Sequence, residues 1–241
     1  MTFPFEIDPP DTERPALGLV VLQSDETIER EFRTLLPPSV DLFVSRVPSG
    51  ADVTAETLAA MRDHLASAAG LFPQGRALAA VGYACTSGAS VIGSGEVARL
   101  IRDASGAVHV TDPVASLVAA CRRRDVRRLA LLSPYVEEVS ETLRVALAAH
   151  GIETSAFGSF GEARERTVAR ITTVSIVEAA TGLLGEEDVD GLFLSCTNLR
   201  TLDAIDRLGH KTRLPILSSN TVLAEELLFL AGRPNETERT S

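Results

Sequence analysis

The chain has 241 residues, 45% of them hydrophobic, which is enough to bury a large core as one domain or two close-packed lobes. No apolar run nears the roughly 18 residues of a membrane span, and no basic segment followed by an apolar one opens the chain, so neither a membrane segment nor a secretory signal is expected. A net charge of −10 opposes nucleic-acid binding, and three cysteines in this length fit a reducing, cytoplasmic setting rather than a disulfide framework.

In chain order, strands and helices alternate, the pattern of an α/β fold with parallel sheets. Leu17 to Leu22 reads as a strand, Thr27 to Leu35 as a helix ending before Pro37-Pro38, and Val40 to Arg46 as a strand. Thr54, with Thr57 three residues later, opens a helix to about Ala69. Ala77 to Ala84 is a strand, the glycines of Ser87 to Gly95 read as a tight turn, Gly95 to Ala104 as a helix, and Val108 to Thr111 as a short strand.

The pattern then repeats. A helix runs from Asp112-Pro113 to about Arg123, a strand from Arg128 to Ser133, and Pro134 suits the first turn of the next helix, which stops at His150-Gly151. Ile152 to Phe157 is a strand, Thr167 to Leu184 largely helical, and Gly191 to Ser195 a strand. A helix, the strand Pro215 to Ser219 and a last helix from Thr221 to about Ala231 complete it. Two facing lobes follow: 1–111 plus about 216–232, and 112–215, with 233–241 as a polar tail expected to be disordered. Arg122 to Arg128, the densest basic run, reads as a helix C-terminus and solvated turn.

Each half carries one apolar strand ending in Cys-Thr: Ala84-Cys85-Thr86-Ser87 and Ser195-Cys196-Thr197-Asn198. Ligand sites in open α/β folds lie beyond the carboxyl ends of such strands, so the two thiols are expected on a shared cleft. Cys121, within Leu117 to Cys121, reads as an ordinary core cysteine. Backbone N–H groups and the positive helix end at such a turn should lower a thiol pKa from about 8.5 toward or below 7. Thr86, Ser87, Thr197 and Asn198 offer short polar side chains for a carboxylate or enolate oxygen. Two thiols on opposite faces of one carbon suit a base and an acid, or a nucleophile and a proton donor. A redox pair is the weaker alternative, because no Cys-x-x-Cys is present. Scattered histidines give no metal spacing, and the single lysine, Lys211, sits in a polar loop ill suited to a Schiff base, so neither a metal nor pyridoxal phosphate is expected.

These motifs, with Gly18-Leu19-Val20-Val21, Thr27-Ile28-Glu29, Ser133-Pro134-Tyr135 and Ser218-Ser219-Asn220, resemble the aspartate/glutamate racemase superfamily. The likeness is to its maleate isomerase and arylmalonate decarboxylase branch, and covers nearly the whole chain. It implies two flavodoxin-like αβα lobes, with four-stranded parallel sheets related by a pseudo-twofold axis and the active site in the inter-lobe cleft. It implies no cofactor, attack or deprotonation by Cys85, proton transfer at Cys196, and donation from Tyr135 to a substrate carboxylate. Packing at a helix start is the plainer role for Tyr135. Two positions depart: Asp25 stands where the family has a carboxylate-binding asparagine, and the Gly158 to Arg164 run has no clear match to a second one. Retention of both cysteines departs from arylmalonate decarboxylase, which keeps the second alone.

Asp25 to Glu29 also looks like the ectoine-utilisation group of racemases. The leading expectation is therefore a two-cysteine racemase or isomerase of a small amino acid such as a diaminobutyrate derivative, with Asp25 on the substrate ammonium. The alternatives are a maleate-type cis–trans isomerase working through a Cys85 adduct, an arylmalonate-decarboxylase-like enzyme, or a non-catalytic binding protein. Capping of the following helix is the competing role for Asp25. The partners expected are a small carboxylate-bearing substrate and further copies of the chain.

Overall fold

The structure is a computed structural model, describing residues 1–7, 14–185 and 188–232. The first sheet holds β1 (Ala16–Leu22), β2 (Asp41–Val47), β3 (Ala80–Ala84) and β4 (His109–Thr111), in the order β2-β1-β3-β4. The second holds β5 (Arg128–Ser133), β6 (Glu153–Ser159), β7 (Gly191–Leu194) and β8 (Ile216–Ser218), in the order β6-β5-β7-β8. All pairings are parallel. The orders match term for term, so β3 and β7, which carry the two cysteines, are equivalent inner strands. β1 and β3 are buried along their whole length, as helix-covered parallel strands must be.

The helices of the first half are α1 (Ile28–Leu35), α2 (Ala55–Ala60), α3 (Arg62–Ala69), α4 (Thr86–Ile92) and α5 (Ser94–Ser105). Those of the second are α6 (Pro113–Arg124), α7 (Glu137–Ala148), α8 (Glu165–Val168), α9 (Thr173–Leu184), α10 (Leu202–Gly209) and α11 (Ser219–Leu230). The Thr54 and Thr57 side chains form a reciprocal cap on α2, but the expected single helix is interrupted at Met61. Pro134 precedes α7 rather than opening it, and α8 and α9 are separate helices. Among the described residues no helix is long and apolar enough to cross a membrane.

β8 corrects the expected boundary between lobes. It pairs with β7 in the second sheet, and the chain crosses back only with α11. Leu223, Ala224, Leu227 and Leu228 of α11 pack into the same apolar cluster as Leu17, Leu19 and Val21 of β1. The arginine run closes α6 and the turn after it, with Arg122, Asp125 and Arg127 exposed as expected, but two of its members also hold the last helix. Arg123 pairs with Glu225 and Glu226, and Arg124 with Glu225, fastening α6 to α11. The expected polar tail, 233–241, lies outside the described residues.

Candidate active site

Cys85 directly follows β3 and is the N-cap of α4, which begins without an intervening turn. Its Sγ accepts the Gly88 N–H at 3.1 Å. That approach requires glycine: a Cβ on Gly88 would stand 2.4 Å from Tyr83 Oη and 2.9 Å from Cys85 Sγ. The run Ser87 to Gly95, expected as a tight turn, is helical, broken at Gly93 where φ is +90°.

Cys196 follows β7 with φ of +109°, a region that side-chain-bearing residues rarely adopt, at a cost of order 1–3 kcal/mol. The turn is held by Ser219 Oγ, which accepts the Cys196 N–H at 2.9 Å. The sulfur lies 3.0 Å from Tyr135 Oη and accepts the Asn198 N–H at 3.3 Å. Ser219 also meets Thr86 Oγ1 at 2.7 Å, so one α11 residue ties the two Cys-Thr turns together.

Asp25 lies in the loop after β1, the position equivalent by topology to that of Tyr135 after β5. Its Oδ1 accepts the N–H groups of Thr27 and Ile28 at 2.8 and 2.9 Å, and its Oδ2 accepts Thr197 Oγ1 at 2.9 Å. Arg46 clamps the same loop by donating to the carbonyls of Leu22, Gln23 and Asp25. The helix-capping role is therefore filled, and the carboxylate is held across the two halves by Thr197.

Glu165, at the start of α8, is the residue that sequence reasoning missed. It is 3% exposed, and its Oε1 accepts Tyr135 Oη at 2.8 Å while its Oε2 accepts Asn198 Nδ2 at 2.7 Å. The segment that carries it, 160–172, reaches across to the first half. Val53 N–H donates to Ala163 O at 2.8 Å, Glu165 N–H to Ala51 O at 3.2 Å, and Arg170 pairs with Glu26 at 3.0 Å. The available signal was its place: the loop after β6 leaves the carboxyl end of a strand, where ligand-facing groups collect.

Cys85, Thr86, Ser87, Asp25, Tyr135, Cys196, Thr197 and Asn198 all line one small cavity, joined by Leu22 and Glu165. Both cysteines are free thiols. The expected lowering of thiol pKa is overturned. Burial pushes Cys85 up to about 12 against the opposing Gly88 N–H, and the Glu165 carboxylate adds to the rise. Burial and then Glu165 push Cys196 up as well, outweighing its contacts with Tyr135 and Asn198. The small helix-end effect loses to desolvation and a neighbouring negative charge. Cys121 is buried in α6, where burial raises its thiol to about 11, as suits a core residue. Among the described residues no group of three or more histidine, cysteine or acidic side chains could hold a metal.

Burial also raises the carboxyl of Glu165 above its ordinary value of 4.5, against the hydrogen bonds from Asn198 and Tyr135. A carboxyl raised on folding stabilises most below its unfolded pKa, and that contribution fades as pH rises through the folded value. Glu165→Gln should therefore gain stability relative to the parent as pH climbs from about 4.5 toward neutrality. Urea midpoints of both proteins across that range check it; a difference independent of pH would contradict it.

Two matched halves with a cysteine turn from each on one cavity define a two-lobed α/β protein with a paired-thiol site. The profile of the arylmalonate decarboxylase family matches residues 48–240, and the chain belongs to that family, in the maleate isomerase and arylmalonate decarboxylase branch of the aspartate/glutamate racemase superfamily. It is 31% identical to arylmalonate decarboxylase of Bordetella bronchiseptica over 133 residues, 55% of each chain, so this alignment spans about half of that relative. It is 28% identical to maleate isomerase of Nocardia farcinica over 227 residues, 88% of each. A solved structure of the Nocardia farcinica maleate cis-trans isomerase, a cysteine-to-serine mutant with a covalently bound succinylcysteine intermediate, superposes with a TM-score of 0.80. The identity is 26%, over 91% of this chain and 94% of that one.

Proposed function

We propose that this chain is a cysteine-dependent isomerase of a small unsaturated carboxylic acid, of the maleate cis–trans type. The observation that carries the reading is the pair of free thiols on one cavity, one from each half, with the donors of Thr86, Ser87, Tyr135, Thr197 and Asn198 around them. In the proposed reaction Cys85 sheds its proton to water before the site closes. Its sulfur adds to one olefinic carbon, and the electron pair of the double bond moves to the neighbouring carbon, which takes the proton of Cys196. The carbon–carbon bond, now single, rotates. Cys196 withdraws the proton, the double bond re-forms in the trans arrangement, and Cys85 leaves. The succinylcysteine reported for the Nocardia farcinica relative supports this sequence.

The cavity itself is about 10 Å³, room for about one water, so substrate entry requires the site to open, which movement of the 160–172 segment would allow. Glu165 forms a common wall with an outer hollow of about 390 Å³, bordered by Ser24, Glu26, Ala51, Asp52, Arg164 and Arg166. Withdrawal of the segment would join the two.

A second reading is favoured by one observation, the two buried carboxylates Asp25 and Glu165 on the cavity wall. Like charges about 4 Å apart cost roughly 1 to 4 kcal/mol at effective dielectrics between water and a protein surface, which disfavours a dianion and favours an ammonium. That reading is cofactor-independent racemisation of a small amino acid, with a diaminobutyrate derivative of ectoine catabolism as its narrowest form. The named relatives lend their weight to the first. Incubation with maleate, followed by fumarate formation, decides between them, alongside a panel of amino acids in deuterated solvent and CO₂ release from an arylmalonate. Fumarate is expected. No fumarate together with α-deuterium in an amino acid would install the second reading, and CO₂ release alone would make the chain a decarboxylase.

A further inference from the structure

The cavity offers a carboxylate-bearing substrate two anions and no cation. Asp25 and Glu165 are both buried on its wall, and among the described residues lining it none is a lysine, arginine or histidine. A dianion entering such a site adds its own charges to theirs, out of water, where each is costly. The two carboxylates differ in what holds them. Asp25 Oδ1 accepts the backbone N–H groups of Thr27 and Ile28 at 2.8 and 2.9 Å, donors that cannot turn away. Glu165 Oε1 accepts a hydroxyl instead, that of Tyr135 at 2.8 Å, which is free to rotate to another acceptor. Glu165 also borders both the cavity and the outer hollow, whereas Asp25 borders the cavity and not the hollow. Of the two, Glu165 is the one that solvent protons reach directly.

We propose that Glu165 binds a dicarboxylate substrate in its protonated form, taking one proton from solvent as the dianion enters and returning it when the ligand leaves. The proton comes to Oε1, the carboxyl becomes neutral, and one of the two buried charges is removed. A protonated carboxyl has one O–H to give. With Oε2 still held by Asn198 Nδ2 at 2.7 Å, that O–H and the Tyr135 hydroxyl it releases become donors to the substrate carboxylate. The wall thus changes from accepting to donating. Burial already raises the Glu165 carboxyl and the Asp25 charge adds to the rise, so a further anion acts in the same direction. The inference rests on the proposed reading of the cavity as a site for a small diacid. The titratable groups facing Glu165 inside the cavity are Tyr135, Asp25, Cys85 and Cys196. Glu26, Asp52, Arg164 and Arg166 face it from the outer hollow. Burial holds both thiols and the Tyr135 phenol protonated, which leaves Asp25 as the competing place for the proton within the cavity.

The test is titration calorimetry with succinate, a saturated diacid that forms no adduct, from about pH 6.5 to 8.5, where it is a dianion. Runs in buffers of different ionisation enthalpy count the protons taken up. In the parent, close to one proton per succinate is expected, and affinity should fall about tenfold per pH unit as the proton becomes scarcer. Glu165→Gln carries a fixed N–H donor in place of that proton. It should bind succinate with no proton uptake and with an affinity that pH leaves unchanged, exceeding the parent about tenfold or more near pH 8.5. Asp25→Asn should keep the uptake. A Glu165 that stays ionised and only repels the ligand would give no uptake in the parent, and a Gln variant tighter by one factor at every pH; that result overturns the proposal. So does uptake that survives Glu165→Gln or vanishes in Asp25→Asn, and the Asp25→Asn result decides the matter if Glu165→Gln does not fold. Failure of the parent to bind succinate at any pH would remove the diacid reading and the inference with it, an outcome distinct from binding without a proton.

Discussion

Cys85→Ser should lose essentially all turnover, and Cys196→Ser should lose about 10²–10⁴-fold, the range for removing a positioned proton donor or acceptor. The two losses differ in kind. Serine at position 85 cannot form the adduct at all, because a hydroxyl is far harder to ionise than a thiol in the same desolvated turn. Serine at 196 leaves the adduct possible and removes the group proposed to protonate and deprotonate the neighbouring carbon. Both cysteines line the one cavity and neither supports the fold through a disulfide, so both variants should remain folded. Steady-state rates on maleate, with unfolding midpoints alongside, check this. Retention of more than a tenth of the parent rate by Cys85→Ser would remove the adduct mechanism.

The largest loss of stability is expected from Glu31→Ala. Glu31 projects from α1 in the first half, yet its Oε1 accepts the N–H groups of Thr201 and Leu202 at 2.7 and 3.2 Å, the open start of α10 in the second. Thr201 makes no side-chain cap of its own, so the carboxylate from the other half serves as the cap and meets the positive helix end. Oε2 accepts Asn220 Nδ2 at 2.7 Å, and the same amide donates to Thr197 O at 2.9 Å, beside Cys196. Alanine would strand several buried donors, each costing about 1–3 kcal/mol, so a total of about 3 kcal/mol or more is expected. Burial raises the Glu31 carboxyl, which takes back part of its contribution as pH rises through the folded value. The deficit of Glu31→Ala should thus be larger near pH 4.5 than at neutral pH. Urea unfolding at both pH values measures it, and a deficit below about 1 kcal/mol would show that the two halves are held together by other contacts.

The sheets were legible because strand burial writes itself into the sequence. Ala80 to Ala84 and Gly191 to Leu194 are short continuous apolar runs, and the duplicated Cys-Thr after them marked equivalent strand ends. The residues gathered on the cavity could be named for the same reason, since Thr86, Ser87, Thr197 and Asn198 follow directly on those ends. Three things were not legible. Glu165 enters from a connecting segment with no periodicity, 31 positions before Cys196, as the pairing at Asn198 and Tyr135 is made by folding alone. The thiol chemistry went the opposite way from expectation because the turn was weighed without the burial that covers it. β8 was assigned with α11 because chain order suggests that a strand and the helix after it stay together. Instead, the crossing falls at Ser218–Ser219, between the last sheet residue and the first helical one.

The most direct measurement is peptide-level mass spectrometry of Cys196→Ser after brief reaction with maleate and acid quench. The expected result is the added mass of one maleate on the Cys85 peptide, with Cys121, sealed in α6, unmodified. An unmodified Cys85, in a protein whose parent forms fumarate from maleate, would contradict covalent isomerisation at this site.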